Sequence, residues 1–368
     1  MVEHKGKIGV REFFAILAMT IGPKYGDDTP AILYKNLDTA AWMAPLIIGF
    51  ITVIPIYLLI KVLSSFENKG LSDVIEHLFG KIFGFLLLAI LWLISITALT
   101  FDTAIYTDIV TIMYFSETPV LAIYAILMLI CAYGAKKGIE QIGSVAWITL
   151  FWVKISLFSV LFIIIFQGEI EFLFPLFGPG KWEVLKESAY KTSIYADMLF
   201  IGLIYPLVAS KSAYSKGTWF ALIFIILEHV FSLIGYMMLF DFHGIKNMNF
   251  PFHEAIRYIH LGFLPNVETF FFPFWIVSSF VRFSFYLYLS AILFGSLFKI
   301  KHFDYLIPII ATLVLSLGMI PENSTNIIFY LREKFINIVT PFFIILPFII
   351  WLIAKFKGVL NHDNSKTG

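Results

Sequence analysis

Residues 21 to 30 read Ile21-Gly22-Pro23-Lys24-Tyr25-Gly26-Asp27-Asp28-Thr29-Pro30, in the middle of an otherwise apolar run. Glycine and proline there remove helical hydrogen bonds, and three charges sit where lipid cannot solvate them. Such a segment must line a cavity or a protein interior. The chain around it is 60% hydrophobic and 18% aromatic with only 14% charged residues, and its mean hydropathy is +0.88. Those proportions make lipid the main solvent. A formal net charge of +1 argues against nucleic acid as a partner, and the single cysteine, Cys131, excludes an intrachain disulfide. The basic stretch Met1 to Arg11 precedes an apolar run with no small-residue cleavage site, which predicts a retained first helix.

A span needs about 20 mostly apolar residues. That rule predicts ten helices, at about 8 to 34, 41 to 62, 81 to 110, 119 to 135 and 143 to 166, then 187 to 208, 217 to 240, 268 to 298, 304 to 320 and 334 to 356. The expected fold is an all-α integral membrane protein, one membrane domain over 1–368. Five crossings per half is odd, so 187–356 enters from the face opposite to 8–166, and the halves are predicted to be inverted repeats. Loop charges agree: fifteen of the 26 Lys and Arg fall on the face of the two termini, eight on the other (Lys35, Lys181, Lys186, Lys191, Lys246, Arg257, Arg332 and Lys334), and three within spans. Lysine excess marks the cytoplasmic side. Of two long outer loops, 167–186 and 241–267, the second contains an amphipathic stretch, Phe252 to Leu261, expected to rest on headgroups or to lid a cavity. Asn361 to Gly368 reads as a solvated tail.

The first span of the second half has its own interruption, Phe200-Ile201-Gly202-Leu203-Ile204-Tyr205-Pro206, at the position matching the first break. Paired breaks point to a solute site near the midplane, because opened backbone frees N–H and C=O groups that can hold a carboxylate and an ammonium. Two ordinary kinks are the alternative. The candidate ligand-binding residues are Gly22, Pro23, Lys24, Tyr25, Gly26, Asp102, Asp197, Leu199, Phe200, Gly202, Ser278, Arg282 and Tyr286. Arg282 shares a helix face with Ser278, Ser279 and Tyr286. Lys154 lies about 16 Å from either end of the fifth span, too deep to snorkel, so it is a candidate proton carrier or switch, with a fixed ion pair as the alternative. Asp27, Asp28, Asp102, Asp197 and Glu228 outnumber Lys24, Lys154 and Arg282 within the spans, so some acids are expected to face water or be protonated, Asp102 first. Glu228 and His229 are expected to make helix contacts. Gly178-Pro179-Gly180-Lys181 lacks the leading glycine and the following Ser or Thr of a phosphate loop, and neither a nucleophile elbow nor HExxH occurs. No enzyme, cofactor or metal site is expected.

At the first break, at Ala40-Ala41-Trp42-Met43-Ala44-Pro45, and at Phe280-Val281-Arg282-Phe283-Ser284-Phe285-Tyr286-Leu287-Tyr288-Leu289, the chain resembles the spore germination receptor B subunits over nearly its full length. The resemblance implies the five-plus-five inverted repeat of the amino acid, polyamine and organocation transporter superfamily, with broken first and sixth helices. It also implies a nutrient-sensing role in the spore inner membrane with the termini on the core side, partnership with receptor A and C subunits, and a small germinant such as an amino acid. By the same likeness Lys154 falls where some proton-coupled members carry a lysine in place of a sodium ion, and Phe200 and Gly202 follow the aromatic-then-glycine trend of the sixth helix. Pro23 and Lys24 depart from the small side chains usual in the first. A proton-coupled amino acid permease is the alternative reading.

Overall fold

The computed structural model describes residues 6–66, 68–259, 267–321 and 327–360. The chain's start, the tail Asn361 to Gly368 and both His260 and Leu261 of the amphipathic stretch lie outside them.

The first span is not one helix. α1 runs Val10–Thr20, a 3-10 turn covers Gly22–Gly26, and α2 restarts at Thr29–Leu37. Pro23 has no N–H to donate, whereas Pro30 sits in the first turn of α2, where its missing N–H costs nothing. Asp27 secures the restart, its Oδ1 accepting from the Thr29 N–H at 2.9 Å. α3 follows at Ala44–Ser64, and α4 at Leu71–Met113, interrupted at Gly80. Gly80 has φ +76° and ψ −178°, which only glycine adopts without strain. The third span therefore starts at Lys81, as predicted, but residues 71–79 form a separate helical turn that the hydropathy pattern reads as loop.

α5 is Val120–Lys136 and α6 Ile139–Gln167. α7, Lys181–Tyr190, precedes the sixth span, which breaks more severely than expected: a 3-10 turn at Thr192–Tyr195, one α turn at Asp197–Phe200 (α8), and 3-10 again over Ile201–Leu207. α9 covers Lys211–Ile245 with its break at Asp241, α10 Pro251–Tyr258, α11 Val267–Phe298, α12 Leu306–Gly318 and α13 Glu333–Phe356, the last continuing from a π-helical segment, Ile327–Arg332.

Among the described residues six helical segments are long and apolar enough to cross a membrane, and three shorter apolar ones accompany them. In α11 78% of the most apolar stretch is buried against 28% in α4, which places α11 at the centre and the first half of α4, with exposed Ile82, Phe83, Leu86, Ile90 and Leu93, at the lipid surface. α1 and α11 form the axis, packed on each other and on α4, α5, α6 and α9. The two broken spans are also tied end to end, since Ile8 N–H donates to Leu207 O at 2.8 Å and Ala209 N–H donates to Ile8 O at 2.9 Å.

Candidate functional site

Breaking a helix leaves carbonyls that must find donors elsewhere. Around the first break Ile21 O and Lys24 O accept from the N–H groups of Lys24 and Asp27, and five more carbonyls are met by side chains from other helices. Tyr286 of α11 donates to Thr20 O (3.4 Å), His229 of α9 to Gly22 O (3.1 Å), Tyr106 of α4 to Pro23 O (3.1 Å), Tyr236 of α9 to Tyr25 O (3.1 Å) and His253 of α10 to Gly26 O (3.0 Å). Both histidines are used alike: Nε2–H faces the carbonyl while Nδ1 accepts from a tyrosine hydroxyl, Tyr195 at 3.0 Å for His229 and Tyr114 at 2.9 Å for His253. The opened carbonyls, expected from the sequence to be open for a ligand, are thus satisfied internally. Side chains are left to supply the charged contacts.

Those side chains surround a cavity of about 70 Å³ between the first break, the sixth span, α4, α11 and α13. It has room for several waters or one small polar solute. Lys24 donates to Ile194 O at 2.8 Å and pairs with Asp197, bridging the two broken spans. Opposite, Asp102 is held by Arg282 and by Arg332, whose Nη1 is 2.6 Å away. Arg282 also reaches Asp27 at 3.3 Å and donates to Tyr106 Oη at 2.7 Å, while Arg332 reaches Asp27 at 3.5 Å and Asp28 at 3.3 Å.

Arg332 is the residue that sequence reasoning missed. Counted as a cation of an outer loop, it is 7% exposed at its side chain and sits among three aspartates. With it, and with Lys154 at 2.7 Å from Glu228, each of the five intramembrane acids lies beside a cation, and the expected surplus of acid narrows from two charges to one, since four cations face five acids. Asp102 in particular is buried rather than solvated. The signal was available: a lone arginine before the last apolar run can be drawn inward when unpaired aspartates need it.

Of the other predicted residues, Lys24, Asp102, Asp197, Phe200 and Tyr286 line this cavity. Gly22, Pro23, Tyr25, Gly26 and Ser278 border a separate, smaller one of about 40 Å³ on the far side of the break, with Lys154 and Glu228. Arg282 lies behind the first cavity, fully buried. Ser278 and Ser279 do not join it, because both hydroxyls donate back to Trp275 O. Leu199 is buried, and Gly202 faces Leu63 and Leu71, packing the sixth span on α3 and α4 instead of facing solute. Lys154 takes the fixed-pair geometry, with Nζ 2.7 and 2.8 Å from the two Glu228 oxygens.

α10 packs against the first break, α9 and α11. His253 anchors it to the break, and Arg257 donates to Met113 O at 3.2 Å and pairs with Glu268 at 3.0 Å. Among the described residues no group of three or more His, Cys, Asp or Glu is placed to hold a metal ion.

The same architecture occurs in Mhp1, a nucleobase-cation-symport-1 family transporter solved in a closed conformation with bromovinylhydantoin bound. The match covers 88% of this chain and 74% of that one, with TM-score 0.56 and 14% identity. The chain therefore has this transporter fold: an all-helical five-plus-five inverted repeat with broken first and sixth spans. In sequence it is similar to spore germination protein KB of Bacillus subtilis (strain 168), 23% identical over 365 residues and covering 96% of each chain. Spore germination protein XB of Bacillus anthracis is 21% identical over 334 residues, 89% of this chain and 92% of that one. The family profile described as spore germination protein matches residues 12–327. A membrane-spanning chain of transporter fold, matched by that profile over most of its length, belongs to the spore germination protein family.

Proposed function

We propose that this chain is the solute-sensing subunit of a germination receptor, binding a small zwitterion such as an amino acid in the cavity between Lys24–Asp197 and Asp102–Arg332. One observation supports this above the others: the cavity is walled by two ion pairs contributed by both broken spans, α4 and the start of the tenth span. A zwitterion can exchange partners with them, its carboxylate taking Lys24 or Arg332 and its ammonium Asp197 or Asp102. Around this cavity three cations, Lys24, Arg282 and Arg332, face four acids, Asp27, Asp28, Asp102 and Asp197. That imbalance favours a ligand bringing positive charge.

Opening the Lys24–Asp197 bridge would loosen the joint between the broken spans and bias a conformational equilibrium. In this reading the change passes to receptor A and C subunits in the spore inner membrane, the termini lie on the core side, and the inverted repeats are 8–166 and 187–356. Lys154 and Glu228 hold α6 to α9 as part of the moving joint. The transporter fold favours a second reading, proton-coupled amino acid uptake through the same cavity.

The test is titration of the purified chain in lipid nanodiscs with a panel of amino acids, beside uptake into proteoliposomes under a proton gradient. Saturable binding that Lys24→Met weakens at least tenfold, without accumulation, is the expected result. Accumulation by the wild type would favour the permease. Binding untouched by Lys24→Met would remove the cavity assignment.

A further inference from the structure

α5 and α6 leave the turn at Lys137 and Gly138 in diverging directions and touch little of each other, and α11 fills the angle between them. The result is a groove of about 820 Å³ open to the membrane. Its mouth is polar: Lys137, Tyr133 and Gln141 line it, with Lys137 Nζ 5.0 Å from the Tyr133 ring centroid and Lys136 exposed alongside. The nearby acid, Glu140, is directed at the chain's start beside Gly6. The interior is mainly apolar, lined by Ile130, Val145 and, from α11, Val277, Phe280 and Val281, with Thr149 and Ser284 also in its wall.

From Gln141 to Thr149 the groove follows α6 for about 12 Å at 1.5 Å per residue. That is close to the roughly 15 Å of hydrocarbon in one leaflet. A cationic, hydrogen-bonding mouth at the end of the spans, above an apolar slot one leaflet deep, is complementary to a lipid with an anionic headgroup.

We infer that this groove is a binding site for an anionic glycerophospholipid, its phosphate at Lys137, Tyr133 and Gln141 and an acyl chain between α5, α6 and α11. The site is independent of the solute-sensing reading, but it adjoins that cavity through one helix. Val281 lines the groove, and the next residue, Arg282, holds Asp27 and Asp102. An occupant that presses on Phe280 and Val281 presses on the helix positioning that arginine.

The experiment is native mass spectrometry of the full chain released from nanodiscs of equal phosphatidylglycerol and phosphatidylethanolamine. The wild type should retain phosphatidylglycerol selectively. Lys137→Gln should lower retention roughly fivefold, the effect of about 1 kcal/mol per lysine at an anionic surface. Val145→Trp, at an exposed position, should lower it further by filling the slot, and Lys301→Gln, an exposed lysine on another loop, should leave it unchanged. Equal retention by all four proteins, or retention of phosphatidylethanolamine as readily as phosphatidylglycerol, would overturn the site. So would a photo-crosslinker at position 145 that captures a protein segment in native membranes instead of lipid.

Discussion

Arg332 Nη1 lies 2.6 Å from Asp102 Oδ1, joining the start of the last span to α4 in the wall of the buried cavity. The same guanidinium faces Asp27 and Asp28. Arg282 pairs with Asp27 and Asp102, whereas the ion pair of Asp28 is with Arg332.

Removing the Arg332 guanidinium should therefore be severe. Arg332→Ala strands buried carboxylates, and breaking a buried pair from one side costs about 3 to 5 kcal/mol. The expected outcome is a clearly lower unfolding midpoint in detergent. Arg332→Lys should recover only part of it, since one ammonium cannot address three carboxylates as a planar guanidinium does. Adding Asp28→Asn to Arg332→Ala should also restore some stability. Equal midpoints for the wild type and Arg332→Ala would show that the arginine is idle.

A second prediction concerns Gly22, where helix and ion pair approach closely. A Cβ there would lie 2.7 Å from Lys154 Nζ and 2.8 Å from Glu228 Oε1. Gly22→Ala should wedge the pair apart and lower stability by a few kcal/mol, on the scale of a damaged buried pair. Lys154→Met alone should do the same by leaving Glu228 uncompensated. Lys154→Met with Glu228→Met should be milder than Lys154→Met, because two apolar side chains remove both desolvation penalties. If the double variant is worse than the single, Lys154 does more than hold Glu228, and the switch reading gains support from unfolding curves alone.

These residues show where sequence was legible. Hydropathy alone locates the ten spans, because a run of 20 apolar residues has few other uses, and Gly22-Pro23 marks the first break because its chemistry is local. Lys24, Asp102 and Asp197 were visible as charges with no lipid-compatible role. What one-dimensional reading could not supply was pairing. Glu228 and Lys154 are 74 residues apart, and Arg332 is 230 from Asp102. Arg332 also sits at a span end, where a cation is ordinarily assigned to the loop. Nor could it tell that Gly202 serves packing against Leu71.

Topology follows from the lysine distribution and gives the third prediction. A reporter fused after Gly358 should be cytoplasmic, and one inserted at exposed Asn247, between α9 and α10, should be external. Moving Arg332 from the outer loop into the protein strengthens the asymmetry that orients the chain. Both reporters on one side would break the ten-span arrangement.

The last prediction is pH dependence of α10. His253 bonds Gly26 O, accepts from Tyr114 Oη, stacks edge-on against Trp275 and shares its helix with Arg257, itself paired with Glu268. Burial pushes its imidazole down to about 3, with the Gly26 hydrogen bond opposing and the Arg257 charge assisting. A free histidine titrates near 6.5, so a released or unfolded α10 takes up a proton at higher pH than a seated one. Seating is then fully stable above about pH 6.5 and weakens as pH falls towards 3, by up to about tenfold in equilibrium constant per pH unit. Hydrogen exchange of residues 251–258 should accelerate as pH drops from 7 to 5 beyond the intrinsic rate change. His253→Gln should flatten that dependence, since a glutamine amide can still donate to Gly26 O without titrating. An identical pH profile in His253→Gln and wild type would show that something other than His253 holds α10 in place.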